Sequence, residues 1–99
     1  RIQRVLKELY GENNRNAFFI AHICLADPKG NVILHSEARC LGNILLEPRG
    51  SDGFGYDPIF EENITKLSFA EMDKNIKDLH SHRGRALRQI MPDMIRIFN

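Results

Sequence analysis

The residues with the clearest chemical potential lie in a glycine-rich segment, residues 48–58, with the sequence PRGSDGFGYDP. Phe54 and Tyr56 stand among its glycines, and Asp57 precedes a proline. Glycines let a backbone bend tightly and approach a ligand closely, and a planar ring on such a loop can stack on a nucleobase. A neighbouring carboxylate can accept a hydrogen bond from a base N–H. The alternative interpretation is an ordinary surface loop whose Phe54 packs into the core.

A second group of polar residues follows at residues 80–83, with the sequence HSHR. If Ser81 caps the last helix, the first backbone amides and the positive end of the helix dipole face any ligand bound there. Arg83 then presents forked donors to a carbonyl, phosphate or carboxylate. Lys77, on the preceding helical stretch, can reach a phosphate as a point charge. The alternative is a solvated helix start whose charges pair with the acidic segment 61–78.

Other combinations of these side chains fit known site chemistry poorly. A zinc site built from His80, His82 and the two cysteines matches no common ligand spacing. A nucleophile pair of Ser81 and His82 is disfavoured, because adjacent residues at a helix start point in different directions. The residues therefore argue against metal binding and covalent catalysis, and leave ligand recognition and an ordinary structural role as the open alternatives.

Hydrophobic patterning predicts the elements that must position these residues. Apolar residues at helical spacing predict an amphipathic helix over residues 2–10. Residues 18–25 are apolar on both alternating faces, which predicts a strand inside a sheet that is covered on both sides. Turn residues at 27–31 predict a hairpin whose return strand is 32–37. The apolar residues 44–46 are a candidate third strand.

The rest of the chain is predicted to be mainly helical, after a short strand that opens at residues 59 and 60. Ser68 and Glu71 fit a capping box, and Asp73 is a further N-cap candidate. Pro92 predicts a kink or a restart in the last helix. The apolar residues of that helix follow core-facing spacing: Leu87, Ile90, Met91, Met94, Ile95 and Phe98.

Composition limits the possible function classes. Of 99 residues, 42% are hydrophobic and 27% are charged, which is typical of a globular domain. A net charge of +1 gives no electrostatic reason to bind nucleic acid or a membrane surface. Two cysteines exclude a disulfide framework and favour a reducing compartment, so we expect a cytoplasmic location. The fold class is α/β, a mixed β-sheet with flanking helices, in one structural unit over residues 1–99.

Longer motifs point to a family. The string GFGYDPIF at residues 53–60, followed by residues 68–72, Lys77 and residues 81–87, resembles the inosine triphosphate pyrophosphatase family in order and separation. The match covers roughly residues 17–95. These enzymes hydrolyse non-standard purine nucleoside triphosphates, such as ITP, dITP and XTP, to the monophosphate and pyrophosphate. The resemblance therefore implies that a purine nucleoside triphosphate is the substrate.

The resemblance also implies a set of substrate-binding residues, which are Phe54, Gly55, Tyr56, Asp57, Lys77, Ser81, His82 and Arg83. Phe54 is expected to stack on the purine, and Tyr56 with Asp57 to complete a loop that holds base and sugar. Lys77 is expected to contact base or phosphate. His82 and Arg83 are expected to read the oxygen at position six of the purine, with Ser81 capping their helix.

The resemblance is to the C-terminal portion of such enzymes. Their N-terminal half, which carries the Mg²⁺ ligands and the general base, is absent from residues 1–99. We therefore expect this chain to supply base recognition, to contain neither catalytic nor metal-binding residues, and to be inactive alone. Because the family is commonly dimeric, a homodimer is expected. The alternative is a non-catalytic nucleotide-binding or dimerisation module that retains only the base pocket.

Overall fold

A computed structural model describes the backbone of residues 1–98 and the side chains of residues 1–97. The side chain of Phe98, predicted to face the core, lies outside the described residues. In chain order the elements are α1 (Ile2–Glu8), β1 (Asn16–Ala26), β2 (Val32–Ile44), a 3-10 turn (Asp57–Ile59), β3 (Phe60–Glu62), a second 3-10 turn (Phe69–Glu71), α2 (Lys74–His80) and α3 (His82–Phe98). The strands form one sheet in the order β1-β2-β3. The predicted α/β class is confirmed.

The third strand lies later in the chain than residues 44–46, so that prediction is wrong. Ile44 ends β2, and β3 pairs antiparallel with β2 in a register that places Ile44 opposite Phe60. After β2, the Arg15 guanidinium donates hydrogen bonds to the carbonyl oxygens of Ile44 and Leu45 at 2.7 and 3.0 Å. A side chain thus satisfies carbonyls that a further strand would have used.

The described chain forms two compact units. The first comprises residues 1–18 and 41–77, and its largest buried side chains include Phe60 and Phe69, whose ring centroids lie 5.1 Å apart. The second comprises residues 19–40 and 78–98. Its buried apolar residues are Ala38, Cys40, Ala86 and Ile90.

In the second unit, α3 lies against one face of the strands. The Ser36 hydroxyl on β2 donates to the carbonyl oxygen of Ala86 at 2.9 Å, and Phe19 on β1 contacts the start of α3. Residues on the opposite face of β1, such as Ile20 and Cys24, are exposed. The prediction that β1 is covered on both sides is therefore wrong, since the described residues of this unit supply a helical layer on one face only.

The helix signals were read correctly at the caps and less well along the last helix. The Asp73 carboxylate accepts the backbone N–H of Ile76 at 2.8 Å, and Ser68 with Glu71 forms the predicted capping box, on a 3-10 turn. α3 continues through Pro92, so the predicted restart is wrong, because one missing N–H leaves the neighbouring turns bonded. Of the residues predicted to face the core, Ile90 is buried, whereas Leu87, Met91 and Ile95 are exposed. Among the described residues, none of the helices is long and apolar enough to cross a membrane.

Candidate functional site

The glycine-rich segment, which contains the aromatic loop at residues 53–57, follows a backbone that only glycine adopts easily. Gly50, Gly53 and Gly55 have φ angles of +85°, +82° and +61°. A Cβ atom on Gly50 would lie 2.5 Å from the carbonyl oxygen of Ala70, and one on Gly53 would overlap the carboxylate of Asp57. Close packing as well as backbone conformation therefore requires glycine at the first two positions.

Phe54 is presented at the surface by a backbone that is held on both sides. Its N–H donates to Asp57 Oδ2 at 3.0 Å, and its carbonyl oxygen accepts the N–H of Asp57 at 3.1 Å. The residue is nevertheless 68% exposed. The alternative in which Phe54 packs into the core is therefore wrong, and an open ring stands on a fixed backbone.

Lys77 joins the aromatic loop through an ion pair. Its ammonium nitrogen lies 2.6 Å from Asp57 Oδ2 and 5.0 Å from the centroid of the Phe54 ring. The second distance is within the range of cation–π attraction. Lys77 therefore contacts the predicted site residues of the loop and is not merely solvated. Its ammonium has three donors, one of which points to Asp57.

Tyr56 and Gly55 complete the aromatic loop. Tyr56 is half-buried, and the Arg1 guanidinium carbon lies 5.9 Å from its ring centroid. The carbonyl oxygen of Tyr56 accepts the N–H of Ile59 at 3.0 Å, which begins the first 3-10 turn. A Cβ on Gly55 would meet open space, so glycine is needed there for its φ angle alone.

Arg49 anchors the start of the glycine-rich segment, a role that its sequence neighbours do not indicate. Its Nη2 donates to Glu61 Oε2 at 3.0 Å and to the carbonyl oxygen of Lys66 at 3.1 Å, and its Nε lies 3.2 Å from Glu71 Oε1. The Ser68 hydroxyl donates to the Arg49 carbonyl oxygen at 2.7 Å. In the sequence, Arg49 is a single arginine followed by several acidic residues. Which of these residues it contacts is decided only by the tertiary fold.

In the second unit, Ser81 caps α3 as predicted. Its buried hydroxyl oxygen accepts the N–H of Gly84 at 3.1 Å. A Cβ on Gly84 would overlap the carbonyl oxygen of Asp78, so glycine lets the first turn of α3 approach the end of α2. The Arg88 guanidinium donates to that Asp78 oxygen at 2.8 Å and to the carbonyl oxygen of Leu79 at 2.7 Å. The start of α3 is therefore tied to the preceding helix.

His82 and Arg83 differ in how much they are packed. The half-buried His82 ring stacks on Phe19, with centroids 4.9 Å apart and an interplanar angle of 19°. Arg83 is exposed. The capped start of α3 can therefore offer guanidinium donors to an acceptor in solution, beside an imidazole whose ring plane is set by stacking.

The described side chains contain no cluster of three metal ligands. In residues 1–97, no group of three or more His, Cys, Asp or Glu side chains is arranged to hold a metal ion. Magnesium usually takes only one or two protein carboxylates together with water and substrate phosphates, so it needs fewer protein ligands than such a group supplies.

The chain is similar in sequence to proteins from other organisms. A dITP/XTP pyrophosphatase from Prochlorococcus marinus subsp. pastoris is 63% identical over 99 residues, which is 100% of this chain and 52% of the relative. A dITP/XTP pyrophosphatase from a Nostoc species is 48% identical over 94 residues, covering 95% of this chain and 48% of the relative. The chain thus spans about half the length of the curated relatives it matches.

Solved structures show the same likeness. A HAM1 protein from Coxiella burnetii superposes with a TM-score of 0.86 at 36% identity, over 96% of this chain and 50% of that one. The Ham1 protein of Staphylococcus aureus also gives a TM-score of 0.86, at 28% identity, over 94% of this chain and 48% of that one. The model of the Ham1 family matches residues 1–93. The resemblance found in the sequence is confirmed, and the chain belongs to the Ham1 family.

Proposed function

We propose that the protein carrying this chain hydrolyses ITP, dITP and XTP to the monophosphate and pyrophosphate, and that this chain supplies recognition of the base. Membership of the Ham1 family and relatives named dITP/XTP pyrophosphatase support the reaction class. The observation that carries the assignment to this chain is the 68% exposed Phe54 ring on a backbone bonded from both sides.

The aromatic loop suits a purine because its ring is preorganised. Stacking of a base on an aromatic side chain contributes about 1–3 kcal/mol, and little of this is lost to ordering when the backbone is already fixed. The Lys77 ammonium, 5.0 Å from the Phe54 centroid, has donors beyond the one directed at Asp57. We assign those donors to hydrogen bonds with a base carbonyl or a phosphate oxygen. Gly55 and Tyr56 are assigned to contacts with the nucleoside.

We assign the selectivity for oxo-purines over adenine to the capped start of α3. Hypoxanthine and xanthine carry a carbonyl oxygen at position six, which accepts hydrogen bonds, whereas adenine carries an amino group, which donates them. His82 and Arg83 supply donors, so an oxo-purine is paired there and adenine leaves donors facing a donor. Ser81 contributes by fixing the first turn of α3 through its bond to Gly84.

Three finer assignments complete the proposal. The reaction uses Mg²⁺, whose ligands lie outside residues 1–99, which are the C-terminal portion of the enzyme. The protein is a homodimer, an assignment that rests on the resemblance to a commonly dimeric family. Its location is cytoplasmic, as the free thiols of Cys24 and Cys40 favour a reducing compartment.

The test is pyrophosphate release from ITP and from ATP by the full-length protein that carries this chain. Arg83→Ala is expected to narrow the ratio of the two kcat/KM values roughly tenfold or more, because a hydrogen bond to a charged donor contributes about 1.5–3 kcal/mol. Arg96→Ala, which changes an exposed arginine paired with Asp93 on the same helix, should leave the ratio unchanged.

Three results would count against the proposal. Equal losses for both substrates in Arg83→Ala would make Arg83 a general phosphate or structural contact. ITP binding without turnover by the full-length protein would favour the non-catalytic nucleotide-binding module. Multiple turnovers by residues 1–99 alone would show that catalytic groups lie within this chain.

A further inference from the structure

We propose that Asp57 is a positioning residue, whose carboxylate orients Phe54 and Lys77 and does not itself bind the nucleotide. The inference rests on the proposed function, since it concerns how the aromatic loop meets the base. It departs from the role that the family resemblance implied, in which Asp57 helps to hold base and sugar. The Asp57 carboxylate is bonded to both Phe54 and Lys77 and is almost closed to solvent.

Asp57 controls the whole main chain of Phe54. It accepts the Phe54 N–H through its side chain at 3.0 Å and donates its own N–H to the Phe54 carbonyl oxygen at 3.1 Å. Both backbone polar groups of the exposed residue are therefore committed to one buried partner. A change at Asp57 alters the direction in which the ring is presented.

The bonded oxygen of Asp57 has no capacity left for a ligand. Oδ2 accepts both the Phe54 N–H and the Lys77 ammonium, the latter at 2.6 Å, and a carboxylate oxygen has two lone pairs. Asp57 as a whole is only 6% exposed. Oδ2 occupies the position that a Cβ atom on residue 53 would take, and Gly53 leaves that position empty. The carboxylate thus faces the interior of the aromatic loop.

Lys77 is held beside the Phe54 ring by the same carboxylate. A buried carboxylate needs a cation, and a buried charge that loses its partner is strongly unfavourable. The ammonium meets this need while lying 5.0 Å from the Phe54 centroid. Removal of the whole carboxylate therefore releases Lys77 as well as loosening Phe54, which couples the two groups through Asp57.

Two substitutions separate these effects. Asp57→Asn keeps an oxygen that can accept the Phe54 N–H but removes the charge that holds Lys77. Asp57→Ala removes both. The KM for ITP is therefore expected to rise in the order wild type, Asn, Ala, with kcat changed less than KM. Asp52→Asn, which alters an exposed acidic residue just before the aromatic loop, is the matched control and should leave KM unchanged.

The deciding experiment is a double-mutant cycle with Lys77→Ala, measured as KM for ITP. Asp57→Asn should raise KM roughly tenfold when Lys77 is present, and less than about twofold when Lys77 is already alanine, because the ammonium that it positions is gone. A carboxylate that contacts the nucleotide directly would cost the same factor in both backgrounds. That additive result, in an active wild-type enzyme, would overturn the role of Asp57 and leave the proposed function standing.

Hydrogen exchange gives a second readout that needs neither activity nor a folded variant. In the wild-type protein the Phe54 amide should exchange roughly tenfold or more slowly than an unstructured amide, since it is bonded to a buried carboxylate. Exchange at the unstructured rate would contradict the closed loop. If the wild-type protein does not hydrolyse ITP but its Phe54 amide is protected from exchange, the proposed function is rejected and the geometry of Asp57 is retained.

Discussion

Two turns of the chain each contain an aspartate and a glycine, but the two aspartates bond to different kinds of partner. In the hairpin turn, residues 27–31, the Asp27 carboxylate accepts the backbone N–H groups of Lys29 and Asn31 at 2.9 Å each. In the aromatic loop the Asp57 carboxylate likewise accepts a backbone N–H from within its own turn. The hairpin aspartate bonds its near neighbours, whereas Asp57 also pairs with Lys77, 20 residues away in sequence.

The glycines of the two turns show the same contrast. Gly30 has a φ angle of +92°, and a Cβ added to it would meet open space. Gly53 has a φ angle of +82°, and its Cβ would overlap the Asp57 carboxylate. The first glycine serves backbone conformation alone, and the second also makes room for a tertiary contact. A turn that only reverses the chain is complete locally, while a turn that presents a side chain to a ligand needs a partner from elsewhere.

The largest expected effect separates the two glycines. Gly30→Ala should lower the free energy of unfolding by about 1 kcal/mol, which is the cost of a left-handed conformation for a residue with a Cβ. Gly53→Ala carries that cost and an overlap with a buried carboxylate, and should lose at least about 2 kcal/mol more. Urea unfolding of both variants measures the difference. Equal losses would mean that the carboxylate moves aside freely, so the aromatic loop would be no more constrained than the hairpin.

A smaller effect is expected from the hairpin aspartate. The backbone N–H of Asn31 is the main cause that holds the pKa of Asp27 below its ordinary value of 3.8. A depressed pKa stabilises the folded state above pH 3.8 and loses this effect as the pH falls through the folded-state pKa. Asp27→Asn should therefore melt slightly below the wild type at neutral pH, and the gap should close in stronger acid. Melting curves over a pH series check the sign, and a gap that widens in acid would refute it.

Features that depend on neighbouring residues could be predicted from the sequence. The hairpin turn and the caps at Asp73 and Ser81 were read correctly because each bond closes within a few residues of its side chain. The glycines of the aromatic loop were also informative, because glycine is the residue that most easily adopts a positive φ angle. Local chemistry therefore carried most of the secondary structure and the outline of the candidate site.

Features that depend on distant partners could not be predicted. Nothing in the spacing of Arg49 indicates that it reaches Glu61 and Glu71, because the fold creates that proximity. Likewise, an apolar residue at a position is compatible with burial there. It does not show that another helix or strand packs against that position. The exposed positions Ile20 on β1 and Leu87 on α3 were both predicted to be covered for that reason.

The most direct test of the central claim is the KM for ITP of Phe54→Ala in the full-length protein. We predict a rise of roughly tenfold or more, from the loss of about 1–3 kcal/mol of stacking, with little change in melting temperature. Tyr10→Ala, which removes an aromatic residue that is 89% exposed outside the aromatic loop, should change neither quantity. Unchanged kinetics together with a lower melting temperature in Phe54→Ala would contradict the claim and make the ring a structural residue.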